Sequence, residues 1–220
     1  MNITSLEEHE LLKQLTFIKR KRTPPSVILL GIILYFKGLS PRRVTEILAL
    51  LETNRHHTSI WRWIRKQGES FKDDMWQGEM PPRIVVDKTG LRTSSGLVWV
   101  YAAIDPRDRR LLFLDVYSSR DALKTWVFFR HMQKIYGTLP RVAVVDGGRW
   151  YIEPLKQLGI KRVVMRYGVR NYVERFFKTL KRRLSDFDRF FPYKRSPDYP
   201  SYWYWLLAFS WFYNAERNTT

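Results

Sequence analysis

The chain has 220 residues, with 39 Lys plus Arg against 21 Asp plus Glu, a net charge of +18, and no cysteine. With 45% hydrophobic and 15% aromatic residues it carries enough apolar material for a folded core, which excludes reading the charge as disorder. Without cysteine there are no disulfides, thiolate zinc sites or Cys nucleophiles, and so strong a positive field points to a polyanion, either nucleic acid or an anionic membrane surface.

The chain opens on MNITSLEEHE, acidic where a secretory signal would be basic and followed by no apolar run, so a cytoplasmic location is expected. Ser5 and Glu8 form a capping box ahead of Leu11, Leu12, Leu15 and Ile18, which predicts a first helix. Pro24-Pro25-Ser26 ends it, and Val27 to Phe36 reads as a buried helix closing near Gly38. That stretch and the Trp- and Tyr-rich Tyr202 to Tyr213 are each shorter than the roughly 20 residues a spanning helix needs, so no membrane partner is expected.

Ser40 and Pro41 predict the start of an amphipathic helix with Val44, Ile47, Leu48 and Leu51 on one face. A polar linker, Thr53 to His57, leads to Thr58-Ser59 as the cap of a further helix, IWRWIRKQ, closed by Gly68. The pair, about residues 40–68, has the form of a helix-turn-helix. A plain helical hairpin has the same pattern; the basic balance of the chain favours DNA binding.

After Pro81-Pro82 the periodicity changes. Runs 83–90, 97–105 and 111–118 read as three antiparallel strands, followed by a helix capped by Ser119, a strand at 141–146, a helix at 150–158, a strand at 161–165 and a helix at 169–186. The order βββαβαβα predicts an α/β mixed sheet preceded by an all-helical region. The boundary expected is near residue 80, with a DNA-binding region at 1–80 and a catalytic domain at 81–220. Trp203, Trp205 and Trp211 are expected to pack the last helix against the core.

Residues 161–195 carry 12 basic and 3 acidic side chains, half of the net charge. Such a run suits a solvated helix face, and it also surrounds Glu174. Asp87 is expected at the end of the first strand, Asp146 at the end of the fourth, and Glu174 in the first turns of the last long helix. Adjacent carboxylates at strand ends repel unless a cation neutralises them, and an all-oxygen set selects Mg²⁺ or Mn²⁺. Two such ions suit an in-line phosphoryl displacement. Each acid singly also suits a plainer role: turn initiation for Asp87 and Asp146, an i,i+4 pair with Lys178 for Glu174. Asp105, Asp108 and Glu153 fall in turns or on a helix with no such arrangement.

In order and kind, YFKGLSPRRVTEIL, HHTSIWRWI, VVDKTG, VYAAIDPRDRRLLFLDVYSSRD, VVDGGRWY and NYVERFFKTLKRRL resemble the RNase H-like catalytic core of DDE transposases and retroviral integrases. More narrowly, the chain is similar to transposases of the bacterial and archaeal insertion sequence six family, over roughly residues 26–215. The resemblance implies that Asp87, Asp146 and Glu174 are a catalytic, metal-binding triad for two Mg²⁺ ions, with Mn²⁺ as a substitute. It implies a structural Arg120–Asp121 pair at the start of the helix after strand three. The 27 residues between Asp146 and Glu174 are fewer than is usual in that family, and the usual Asn pair before the Glu is reduced to Asn171.

The expected activity is DNA transposition: cleavage at element ends and transfer of the 3′ hydroxyl to target DNA. His56, His57, Ser59, Arg62, Arg65 and Lys66 are the expected readers of terminal inverted repeats, and Lys178, Lys181, Arg182 and Arg183 the expected holders of DNA backbone. A homodimer or larger assembly on double-stranded DNA in a prokaryotic nucleoid is expected, because two ends must be synapsed. An inactive DNA-binding regulator and an RNase H-like nuclease are the alternatives.

Overall fold

The computed structural model describes residues 12–13, 15, 23–71, 76, 78–93, 96–184 and 201–218. They divide between two units, Met1–Met75 with Tyr193–Thr220, and Trp76–Pro192. The Ser5–Glu8 capping box lies outside the described residues.

In the first unit, α1 (Pro25–Phe36) begins with Pro at its first position, as the fixed φ of that ring favours. Helix α2 (Pro41–Leu50) is capped as expected: Ser40 Oγ accepts from the Arg43 amide at 3.3 Å. Helix α3 (His57–Ser70) starts earlier and runs further than the sequence implies, with His56 at its N-cap and Thr58 and Ser59 inside it. Gly68 does not end α3. It lies buried within the helix, where an added Cβ would stand 1.8 Å from the carbonyl oxygen of Tyr204.

Tyr204 belongs to α7 (Ser201–Asn218), whose residues Trp205 to Tyr213 are all buried. A helix apolar on every side must be enclosed. Here the enclosing partners are α1 and α3: Trp205 Nε1 donates to Tyr35 Oη at 2.9 Å, and Phe36 meets the rings of Trp205, Phe209 and Phe212. The last helix thus belongs to the N-terminal helical unit, and a division into 1–80 and 81–220 does not describe the packing. Periodicity cannot name a partner for a helix with no polar face, so this correction was invisible in the sequence. Among the described residues, no helix is long and apolar enough to cross a membrane.

The second unit is a five-stranded mixed sheet, β1 (Arg83–Thr93), β2 (Gly96–Ile104), β3 (Leu111–Tyr117), β4 (Val142–Val145) and β5 (Lys161–Val164). Its order is β3-β2-β1-β4-β5, with β1, β2 and β3 antiparallel and β4 and β5 parallel to β1. Helix α4 (Ala122–Tyr136) follows β3, α5 (Ile152–Gln157) joins β4 to β5, and α6 (Asn171–Leu184) follows β5. This is the RNase H-like arrangement, an α/β fold with β1 at its centre. Ile84, Val85 and Val86 are all fully buried, as a central strand covered on both faces requires. Phe128 of α4 packs on Tyr101 and Phe113, while Val173, Phe176, Phe177 and Leu180 form the buried stripe of α6.

One local expectation changes. Helix α4 is capped by Asp121, which accepts from the Lys124 amide at 2.8 Å, and Ser119 instead donates to the Asp121 carboxylate. Asp105 is fully buried in the β2–β3 turn, where the amide and side chain of Arg107 hold it.

Candidate active site

The acids owe their position to where two strands part. Strand β1 pairs with β2 along almost its whole length, but with β4 only from Arg83↔Val142 to Val85↔Val144. Asp87 therefore lies in mid-strand and not at a strand end, two residues past the last parallel pair; Asp146 is the first residue after β4. Continuing the register sets the two opposite each other in the opening between the strands, where sheets of this kind place reactive groups.

Asp87 is only 7% exposed, and burial pushes its carboxyl above the usual carboxylate range. The Lys88 amide donates to its Oδ1 at 2.8 Å, and Arg170 and Lys88 oppose the shift. As neighbours on a strand, Asp87 and Lys88 leave opposite faces of the sheet. The Lys88 amine reaches Asp146 Oδ2 at 3.2 Å and stands 4.1 Å and 4.8 Å from the ring centres of Trp150 and Tyr151. With its side chain 3% exposed, burial draws that amine below its ordinary pKa, against the pull of Asp146 and Asp87.

Asp146 is held by its own turn, its Oδ1 accepting from the Gly148 amide at 2.9 Å. The indole of Trp150 folds back over Gly148 so closely that a Cβ there would stand 2.3 Å from the ring. The hydroxyl of Tyr151 is fully buried beside the aspartates with no hydrogen-bond partner among the described residues, and burial raises its pKa further than the neighbouring charges do.

Glu174 reaches the site although only 27 residues follow Asp146 before it, because one short helix and one strand suffice to cross to β5 and back. Arg170, in the 3₁₀ turn Gly168–Arg170 that leads into α6, links it to Asp87: Arg170 Nη2 is 3.2 Å from Asp87 Oδ2 and 3.3 Å from Glu174 Oε1. The Glu174 side chain is 46% exposed.

The oxygen donors suit a hard divalent ion, and the orphaned Tyr151 hydroxyl marks polar space beside them. As they stand, however, protein cations lie between the carboxylates. Among the described residues, no three His, Asp or Glu side chains are grouped closely enough to hold a metal ion. Lys88 pairs with Asp146, and Arg170 stands between Asp87 and Glu174. Sequence reasoning missed both. Lys88 sits beside Asp87 in a run read as a strand with the acid at its end, and Arg170 lay hidden in a basic stretch read for its total charge.

Around this centre, the guanidinium of Arg120 lies 4.5 Å from the ring centre of Trp99 and 5.3 Å from that of Trp150. On α6, Lys178, Lys181 and Arg182 are exposed beyond Glu174. Arg183 is not: it is 5% exposed, on the apolar stripe, and cannot serve as a surface phosphate contact. In the helical unit, His56, Arg62, Arg65 and Lys66 are exposed on or just before α3, while His57 and Ser59 are half-buried. The opposite side of α3 is closed by Ile60, Trp63 and Ile64.

No family model matches the chain. It is 29% identical over 222 residues to the uncharacterized protein MJ0017 of Methanocaldococcus jannaschii, covering 100% of each. It is 35% identical over 65 residues to the uncharacterized protein aq_aa24 of Aquifex aeolicus, covering 29% of this chain and 54% of that one. Among solved structures it is similar to a chain of the simian T-cell lymphotropic virus intasome in complex with PP2A regulatory subunit B56 gamma, at TM-score 0.44 and 15% identity, over 81% of this chain and 66% of that one. It is also similar to the catalytic core domain of BIV integrase, at TM-score 0.41 and 18% identity, over 58% of this chain and 80% of that one. The dimeric form of the HTLV-2 integrase catalytic core domain in complex with magnesium is a further match, at TM-score 0.39 and 15% identity, over 50% of this chain and 74% of that one.

Proposed function

We propose that the chain is a polynucleotidyl transferase acting on DNA, and more narrowly a DDE transposase of an insertion sequence, similar to the insertion sequence six family. The observation that carries this reading is that Asp87 and Asp146 face each other where β1 and β4 diverge and Arg170 ties Glu174 to Asp87, with exposed Lys178, Lys181 and Arg182 on the helix that carries Glu174. Asp87, Asp146 and Glu174 would hold Mg²⁺ or Mn²⁺, which when bound stabilises charge on the attacking and leaving oxygens of a phosphodiester. The lysines of α6 would hold the DNA backbone in register without reading its sequence. Arg62, Arg65, Lys66 and His56 on α3 would read the element's ends, with His57 and Ser59 steadying the start of that helix. Because two ends are joined in one event, the working form is a homodimer or larger on double-stranded DNA.

Strand transfer with duplex oligonucleotides copied from the DNA flanking the gene tests the reading. In Mg²⁺, Asp146→Asn and Glu174→Gln are expected to lower transfer by about a thousandfold, the scale of several kcal/mol of lost charge stabilisation. Unchanged transfer by Asp146→Asn would refute the assignment. The protein cations between the carboxylates favour one second reading, an inactive DNA-binding regulator. Sequence-selective binding with no transfer in Mg²⁺ or Mn²⁺ would select it.

A further inference from the structure

Two protein cations stand among the three carboxylates, and they are held in different ways. Lys88 is caged: its amine lies on Asp146 and against the rings of Trp150 and Tyr151, with a side chain 3% exposed. Arg170 is held at one end. A single nitrogen, Nη2, meets both Asp87 and Glu174, at 3.2 and 3.3 Å, longer than the roughly 2.7–2.9 Å of a strong charge-assisted bond. Its Nε is buried with no hydrogen-bond partner among the described residues. Most of the fork that suits a planar anion is therefore unused.

One nitrogen bridging two carboxylates occupies the place that one hard cation bridging them would take. Both cannot be there, since a guanidinium and a dication within a few ångströms repel strongly at low dielectric. We infer that Arg170 is the displaceable counter-ion of the Asp87–Glu174 pair: a divalent ion entering between those carboxylates expels it, and the freed guanidinium then engages a DNA phosphate beside the site. The inference rests on the metal-dependent reading above. It makes Arg170 a substrate-positioning residue that also sets how weakly the DNA-free protein binds metal.

The test uses the full chain without DNA and Mn²⁺ as the probe, with free Mn²⁺ followed by electron paramagnetic resonance at fixed pH and ionic strength. Arg170→Gln and Arg170→Ala are expected to bind Mn²⁺ about tenfold more tightly than wild type, and Asp87→Asn to lose binding. In saturating Mn²⁺, the Arg170 variants are expected to bind duplex DNA several-fold more weakly. Wild-type binding of Mn²⁺ with equal or weaker binding by the Arg170 variants overturns the displacement and leaves the metal-dependent reading standing. No Mn²⁺ binding by any form overturns both. Should the variants fail to fold, the wild type carries the test alone: the Arg170 Nε–H resonance is expected to shift as Mg²⁺ is added, and a resonance unmoved at saturating Mg²⁺ overturns the inference.

Discussion

At the scale of single residues, one polar cluster of the sheet unit is settled by direct pairing around Asp115. Asp115 on the edge strand β3 accepts from Tyr117 Oη at 2.6 Å and meets His131 Nδ1 of α4 at 2.8 Å. Burial, and then Asp115, push the Tyr117 hydroxyl far above its ordinary pKa, so it stays a donor. The hydrogen bond that His131 donates to Asp115 raises the His131 pKa above 6.5, because the protonated ring is the better partner. A folded-state pKa above the unfolded one stabilises the fold fully below about pH 6.5, and that contribution is lost as pH rises through the folded value. The effect is small because the His131 side chain is half exposed and solvent screens the pair. Ring chemical shifts followed against pH are expected to give a His131 pKa above 6.5 that falls back in Asp115→Asn; equal values in the two proteins would remove the assignment.

Among elements, close approach decides more than propensity does. Helices α3 and α7 meet at Gly68, where only a residue without a Cβ fits against the Tyr204 backbone. Gly68→Ala must drive two helices apart, and its expected cost is about 2–3 kcal/mol, the range of a strained, overpacked core site. Gly31→Ala is a fair comparison: its Cβ would stand 3.0 Å from the Trp63 ring, a side chain that can shift, so a smaller loss is expected. Thermal denaturation of the two variants checks the order, and equal melting temperatures would contradict the close approach at Gly68. Strand β1 shows the same primacy of packing. Its run to Thr93 is sustained by β2 alone, which leaves the Asp87 stretch free of β4 and open to the site.

For the whole molecule, the charge of +18 is the dominant electrostatic fact, and half of it lies in residues 161–195. If exposed lysines of α6 neutralise DNA phosphates, the logarithm of the binding constant falls linearly with the logarithm of salt concentration. Lys178→Ala and Lys181→Ala are each expected to lower the magnitude of that slope by about 1, whereas Arg183→Ala, at a buried position, leaves it unchanged and costs stability instead. Titrations at four or five salt concentrations measure this, and slopes identical to wild type in both lysine variants would place the phosphate contacts elsewhere. The helical unit is assembled from the two ends of the chain, with the sheet unit lying between them in sequence.

Much of this protein was legible without coordinates. Alternating and 3.6-residue hydrophobic patterns are local properties, so the order βββαβαβα, the Ser40 cap and the apolar stripe of α6 could be read directly. The three acids also stood out, because their places in that order are a matter of sequence. Tertiary structure alone decided which surfaces meet. It assigned α7 to the N-terminal helices, moved Asp87 from strand end to mid-strand, buried Arg183, and set Lys88 and Arg170 between the carboxylates. The physical reason is that side-chain period shows which face of an element is apolar, while the pairing of a buried charge depends on residues 58 to 83 positions away that only the fold brings within reach.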